Sequence, residues 1–142
     1  MEQSQAAPLR PIPLPDEFTS EFWAATREHK LSIQRCRTCR HWNHVPNLSC
    51  RACGSEDLAF EQVSGRGKLY SWCVLNEPPG PGFRDMMPVI IAVVELEEQP
   101  RLYLAANLLN TSADKLSLGL PVRVTFEALG DECVLPQFEL AA

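Results

Sequence analysis

Residues 36–53 read CRTCRHWNHVPNLSCRAC, and this stretch decides the fold. It contains two Cys-x-x-Cys pairs, Cys36 with Cys39 and Cys50 with Cys53, separated by ten residues. Each pair forms a knuckle that brings two sulfurs together, and two facing knuckles supply the four thiolates of a tetrahedral zinc site. With every position filled by sulfur, no place remains for a reactive water. The sequence therefore predicts a structural zinc ion in a small ribbon, in preference to a redox dithiol or an iron centre.

The remaining cysteines and histidines do not suggest a second site. His41 and His44 lie between the knuckles, where the four cysteines already satisfy the metal, so we expect surface or hydrogen-bonded histidines. Cys73 and Cys133 fall in apolar runs and are predicted to be small buried side chains. The chain has no Gly-x-Ser-x-Gly, His-Glu-x-x-His or glycine-rich phosphate loop, so no catalytic residue is predicted.

Composition fits one globular domain or two very small ones, since 142 residues are 45% hydrophobic and 22% charged. Charge is uneven along the chain. Residues 27–51 hold six Lys or Arg and one acidic residue, whereas residues 52–142 hold six basic and thirteen acidic residues. No apolar run is long enough for a signal peptide or a bilayer span, so we expect a cytoplasmic protein without a membrane partner. Reduced cysteines in that compartment favour metal binding over disulfides.

Residues 1–30 are predicted to form an N-terminal arm and a helix. Four prolines within the first fifteen residues make an extended arm. Asp16 can cap a helix that runs to about His29. The helix carries an aromatic stripe that must pack on the chain's own core or on another subunit; its members are Phe18, Phe22 and Trp23.

The rest of the chain reads as β structure. Residues 31–56 are predicted to form the zinc ribbon and residues 57–142 a small barrel of the OB type. The fold class is thus mainly β with an N-terminal helix. The predicted strands after the ribbon are 58–63, 69–75, 89–96, 102–108, 122–128 and 134–140.

Two connections allow a structural and a functional interpretation. Residues 64–68, Ser-Gly-Arg-Gly-Lys, form either a tight turn that opens the barrel or a phosphate contact through Arg66 and Lys68. Residues 76–88 are long for a hairpin loop and rich in proline. They form either a plain connection or a binding element that presents Phe83, Met86 and Met87.

The order of these motifs resembles the OB-fold, acyl-CoA-associated family with a rubredoxin-like zinc ribbon, long catalogued as a domain of unknown function. The resemblance spans about residues 18–138. One departure is the single Pro46 between the knuckles, where the family often has a proline pair. The motifs that carry the resemblance are Cys36-x-x-Cys39, Cys50-x-x-Cys53-Gly54-Ser55, Ser64-Gly65-Arg66-Gly67, Pro88-Val89-Ile90 with Val94-Glu95-Leu96, Gly119-x-Pro121-Val122 and Pro136-x-Phe138.

The resemblance implies a non-catalytic subunit of a hetero-oligomer, in which a thiolase-like partner supplies the catalytic residues and this chain helps to form the acyl-CoA site. On that interpretation a coenzyme A thioester is a shared ligand, whose phosphates would pair with Arg66, Lys68 and Arg84. The partner would contact the helix and the proline-rich loop, through Phe18, Phe22, Trp23, Phe83, Met86 and Met87.

Two other classes remain open. Zinc ribbons and OB barrels both bind nucleic acids, and the ribbon is basic, so a nucleic-acid module is the main alternative. The acidic barrel half and the lack of a basic, aromatic-studded strand face count against it, and no nucleic acid is expected as a partner. A free-standing acyltransferase or thioesterase ranks lowest, because no nucleophile is accompanied by a base.

Overall fold

The computed structural model describes residues 10–141 of the chain. A three-stranded antiparallel sheet forms the ribbon, with β1 (Ser32–Cys36) between β2 (Trp42–Asn43) and β3 (Leu58–Gln62). The predicted fold class, a mainly β chain with one N-terminal helix, a zinc ribbon and then an OB-type barrel, is confirmed. The single α-helix in the described part, α1, spans Ser20–Arg27.

The barrel has five strands. They are β4 (Arg66–Leu75), β5 (Val89–Leu96), β6 (Tyr103–Leu109), β7 (Pro121–Leu129) and β8 (Cys133–Leu140). Their order around the closed barrel is β4-β5-β6-β8-β7, with β7 pairing back to β4 and the short β6–β8 contact parallel. β5 carries mostly β-branched residues whose alternate side chains are buried, which suits a strand paired on both sides. A 3₁₀ turn, Ala113–Lys115, lies between β6 and β7.

The strand β3 belongs to the ribbon sheet. The sequence places it at the start of the barrel, within residues 57–142, whereas the structure pairs it with β1 from Ser32–Gln62 to Cys36–Leu58. The reason is local: β3 begins five residues after Cys53, and the second knuckle turns it directly back onto β1. The barrel strands therefore start at Arg66.

The helix is shorter than predicted at both ends. Asp16 stabilises the turn before the helix, where its carboxylate accepts hydrogen bonds from the Phe18 and Thr19 N–H groups at 2.9 Å. At the other end His29 adopts a left-handed conformation with φ of 58°, and Lys30 donates back to the Ala25 carbonyl. This is a helix C-terminal motif that stops α1 at Arg27.

One hydrophobic core joins the helix, the ribbon and the barrel. It contains Phe22 from α1, Ile33 and Trp42 from the ribbon, and Phe138 from the barrel. A polar clamp adds to this packing: the Gln99 side chain, in the β5–β6 turn, accepts from the Trp42 N–H at 2.9 Å and donates to the Trp42 carbonyl at 3.0 Å. The ribbon is therefore held against the barrel by both apolar and hydrogen-bonding contacts.

The Ser-Gly-Arg-Gly segment forms a tight turn at the opening of the barrel. Gly65 has φ of +81°, and a Cβ there would overlap the Val124 side chain. The Val124 N–H also donates to the Gly65 carbonyl at 2.7 Å. A Cβ at Gly67 would overlap the Glu95 carbonyl oxygen on β5. Only glycine permits these close approaches, which seal the barrel where β4 begins.

The proline-rich loop contains a 3₁₀ helix, Pro81–Met86. Arg10 lies against it, with its guanidinium 5.5 Å from the Phe83 ring centroid, and also pairs with Glu127 at 2.9 Å. The predicted arm thus contacts the chain's own barrel at residue 10, while its first nine residues lie outside the described range. Within residues 10–141, no helix has the length and apolar character that crossing a membrane requires.

Candidate metal centre and its surroundings

The four cysteine sulfurs of the two knuckles converge on one point. All lie within 4.8 Å of one another, and the Cys36–Cys53 and Cys39–Cys50 Sγ pairs are 3.6 Å apart. Zinc–sulfur bonds of roughly 2.3 Å place tetrahedral ligands about 3.8 Å apart, so this donor set fits zinc with little adjustment. Cys36 and Cys50 are buried, and Cys39 and Cys53 are exposed.

The two knuckles have the same local design. In the first, the Cys39 N–H points at the Cys36 sulfur at 3.4 Å, and in the second the Ala52 N–H points at the Cys50 sulfur at 3.4 Å. Each knuckle closes on a left-handed residue, Arg40 with φ of 68° and Gly54 with φ of 78°. These N–H donors stabilise thiolates and fix their direction before a metal arrives.

The electrostatics of the cluster calls for a cation. Hydrogen bonding from the Cys39 N–H lowers the pKa of Cys36. Burial would raise the pKa of Cys50, but N–H donors of Cys53, Asn43 and Ala52 bring it down to about 6. The His41 N–H lowers the pKa of Cys39, yet burial and the neighbouring sulfurs raise it to about 12. Four adjacent thiolates cannot all ionise alone, and a divalent metal removes that conflict.

Asn43 connects the two knuckles from behind. Its side chain is buried, with 1% exposed, and donates to the Cys50 sulfur at 3.6 Å and to the His41 carbonyl at 3.3 Å. Its Oδ1 accepts from the Arg51 N–H at 3.0 Å. Asn43 therefore orients Cys50 and joins the residues that follow the first knuckle to the start of the second.

Replacing Asn43 with leucine should weaken zinc binding about 10- to 100-fold, because outer-shell hydrogen bonds orient the ligands. Asn43→Asp keeps the Oδ1 acceptor but loses the donor to Cys50 and adds negative charge, so it should be no better than leucine. Competition with a chromogenic chelator measures the affinity, and the thiolate-to-metal absorption of the cobalt form reports the geometry. If the zinc affinity and the cobalt spectrum are unchanged in both variants, Asn43 does not support the metal site.

The other cysteines and histidines lie outside the cluster. His44 is half-buried, and burial together with the nearby Arg51 charge lowers its pKa, so the imidazole is neutral at neutral pH. Cys133 is buried as predicted, and burial raises its pKa. The prediction for Cys73 is wrong: it is exposed.

Two cavities that the sequence does not predict lie where the ribbon meets the barrel. An apolar cleft of about 380 Å³ opens between α1, residues 44–46, β6 and β8. A basic cavity of about 550 Å³ lies between the ribbon and the β5–β6 turn. Their walls come from segments distant in sequence, so no local pattern signals either cavity. The cleft is lined by Phe22, Trp23, Val45, Leu104, Ala105 and Pro136, and the basic cavity by His41, His44, Arg51, Gln99, Arg101 and Leu102.

The structure does not bring the predicted coenzyme A residues together. Arg66 and Lys68 line one cavity at the start of β4, where Arg66 pairs with Glu97 at 3.5 Å. Arg84 lies in the 3₁₀ helix at the opposite end of the β4–β5 hairpin. All three side chains are exposed.

The predicted partner-contact residues differ in how much of their surface is exposed. Phe22 is 8% exposed and packs in the core, so it offers little area to a partner. Trp23 packs edge-on to Phe22 and keeps part of its surface exposed beside the apolar cleft. The remaining four are partly exposed and lie on the first turn and the proline-rich loop: Phe18, Phe83, Met86 and Met87.

Comparison with known proteins assigns the family. Residues 23–59 match the model of the ChsH2 rubredoxin-like zinc ribbon domain, and residues 60–127 match that of the ChsH2 C-terminal OB-fold domain. The DUF35 domain-containing scaffold protein of Pyrococcus furiosus is 30% identical over 106 residues, which cover 74% of this chain and 75% of that protein. The chain belongs to the DUF35 family. The predicted resemblance is thereby confirmed.

Two further proteins similar to this DUF35 chain are named as parts of enzymes. The "Probable enoyl-CoA hydratase alpha subunit" of Thermomonospora curvata is 36% identical over 142 residues, but the DUF35 chain covers only 43% of its length. The solved structure described as "Ltp2-ChsH2(DUF35) aldolase" has 34% identity and a TM-score of 0.84, with 92% of this chain and 100% of that chain covered.

Proposed function

We propose that this chain is a non-catalytic zinc-binding subunit that associates with a thiolase-like enzyme and helps to form its acyl-CoA site. The observation that carries the proposal is the match, over 92% of this chain, to a solved structure whose description pairs ChsH2 with a second protein, Ltp2, in an aldolase. The hydratase alpha subunit of Thermomonospora curvata supports the link to acyl-CoA substrates.

The chemistry of the metal centre supports a structural role. Four sulfurs complete the tetrahedron, so the metal has no open position for a substrate or a water. Cys36, Cys39, Cys50 and Cys53 would hold one zinc ion, which supplies a cross-link between the knuckles. Since the ribbon shares a core with α1 and the barrel, that cross-link also stabilises the surfaces that a partner would contact.

The acyl-CoA site would be shared between two chains. On this side the apolar cleft at the ribbon–barrel junction and the proline-rich loop offer contacts for an acyl chain or a partner surface. Arg66 and Lys68 are proposed to pair with coenzyme A phosphates, and Arg84, at the far end of the hairpin, would contact a different part of the ligand or the partner. Such a complex would assemble in the cytoplasm.

The loop is tested by the double variant Phe83→Ala with Met86→Ala. Loss of two apolar contacts at an interface should weaken complex formation about 10- to 100-fold, while zinc content stays the same. Complex formation is measured by co-purification with a thiolase-like protein encoded by a neighbouring reading frame, and by the affinity for that protein in a surface-based binding assay. Acyl-CoA turnover by the complex is the second readout. Leu118→Ala is the matched control, since Leu118 is 73% exposed in another connection.

Two results would contradict the proposal. One is acyl-CoA turnover by the isolated chain that is lost on Cys73→Ala or Cys133→Ala. The other is the absence of a stable complex with every thiolase-like neighbour tried. If the complex forms but the loop variant binds and turns over substrate normally, the partner contact lies elsewhere, with Trp23 and Phe18 as the next residues to replace.

A further inference from the structure

The two junction cavities meet at one residue. His44 lines both the apolar cleft and the basic cavity, so the two cavities adjoin at its imidazole. The cleft side is formed by aromatic and aliphatic side chains such as Trp23, Leu104 and Ala105. A neutral imidazole at the boundary leaves no buried charge in the path of an apolar chain.

The basic cavity contains unpaired positive charge. In residues 10–141, Arg51, Arg84 and Arg101 are the arginines whose guanidinium makes neither a salt bridge nor a hydrogen bond. Two of these, Arg51 from the ribbon and Arg101 from the barrel, line this cavity. The Glu95 carboxylate accepts from the Arg101 backbone N–H at 2.9 Å and makes no salt bridge with its guanidinium. Both cationic groups are therefore available to an anion.

The cavity floor is fixed before any ligand binds. Gln99 joins the β5–β6 turn, which leads to Arg101, to Trp42 of the ribbon through two hydrogen bonds. Asn43 fixes the Arg51 backbone in the same way, through the bond to its N–H. A preorganised site loses less conformational entropy on binding.

We propose that the ribbon–barrel junction binds an amphiphilic ligand, an acyl chain joined to an anionic group. The chain occupies the apolar cleft, and the anion pairs with Arg51 and Arg101 past His44. Guanidinium groups form two parallel hydrogen bonds with a carboxylate or a phosphate, so both head groups fit the same chemistry. The choice of an acyl chain rests on the function proposed above, but binding by the isolated chain does not depend on the partner enzyme.

The test uses decanoate, below its micelle concentration, titrated into the zinc-loaded chain by calorimetry. Trp23 and Trp42 line the two cavities, so intrinsic fluorescence gives a second readout. We expect one site per chain, with affinity rising about fourfold for each methylene from octanoate to decanoate as apolar surface is buried. Decanol measures the contribution of the chain without the anion.

The arginines are tested by the double variant Arg51→Gln with Arg101→Gln. It should weaken decanoate binding at least about tenfold and leave decanol binding and zinc content unchanged. Arg123→Gln is the matched control, because its exposed guanidinium lies on β7, outside the cavity. Ala105→Phe should fill the cleft and weaken both probes, whereas Ala128→Phe, on another exposed strand position, should weaken neither.

Decanoyl-CoA and free coenzyme A distinguish the two sources of the anion. If decanoyl-CoA binds more tightly than decanoate and depends on the same arginines, the head group is a phosphate. If decanoate binds more tightly than decanoyl-CoA, the head group is a carboxylate. Either result supports the site. Lack of saturable binding by any charged probe overturns the inference. So does an Arg123→Gln effect equal to that of the double variant, or an affinity that does not depend on chain length. These results leave co-purification with the thiolase-like partner unaffected, so the two proposals fail separately.

Discussion

Replacing Cys50 with serine is expected to release the metal and unfold the ribbon. Cys50 is buried, accepts hydrogen bonds from the Ala52 N–H and the Asn43 amide, and is one of four sulfurs that a tetrahedral zinc needs. Structural zinc contributes on the order of 10 kcal/mol to the folding of small modules, and a serine hydroxyl is a poor replacement for a thiolate. Elemental analysis of the purified chain and its thermal unfolding measure the loss.

The matched control for this experiment is Cys73→Ser. Cys73 is an exposed thiol outside the cluster, so the change should keep one zinc per chain and the wild-type melting temperature. Full zinc retention by Cys50→Ser, or by a Cys36 and Cys39 double variant, would contradict the assignment of the ligands.

A methyl group at Gly65 is expected to destabilise the barrel by about 2 to 5 kcal/mol. Left-handed backbone costs an L-residue about 1 to 2 kcal/mol, and forcing a side chain into packed surroundings costs about 1 to 3 kcal/mol more. Here that methyl group would overlap Val124, whose N–H is already bound to the Gly65 carbonyl. Urea unfolding of the Gly65→Ala chain gives the free energy directly.

Gly119→Ala separates the two costs. Gly119 has φ of +85°, and a Cβ added there would meet nothing within 4 Å, so this variant should show the backbone cost alone. If the two variants lose the same free energy of unfolding, the structure around Val124 adjusts to the added methyl group without cost. Gly65 would then not be needed for packing.

The parts of the fold that the sequence predicts are those with short-range causes. Two Cys-x-x-Cys turns place their sulfurs through local backbone geometry, and the β-branched composition of 89–96 marks a strand whatever its neighbours are. Which strand pairs with which is a long-range property. Residues 58–63 have strand composition in either module, and only the path of the second knuckle sends β3 to β1.

The same difference between short-range and long-range causes applies to the candidate site. The metal ligands follow from spacing, but the junction cavities bring together residues 22–23, 44–46, 51, 99–107 and 135–137, which no periodicity connects. Burial of Phe22 and exposure of Cys73 depend on which face of an element meets the core, and an aromatic helix stripe or an apolar run leaves that open. Arg66, Lys68 and Arg84 are grouped by their charge alone. Charge carries no information about distance, so the separation of these residues by the length of the β4–β5 hairpin is not predicted.

The Gln99 clamp also protects a sheet edge. A closed barrel has no edge strand, but a three-stranded ribbon leaves the outer backbone of β2 available to template another chain. The Trp42 N–H and carbonyl are the outward groups of that short strand, and a single amide side chain from the barrel occupies both. Gln99 thus takes the position of a neighbouring strand, and β2 cannot recruit a second copy of the ribbon through those groups.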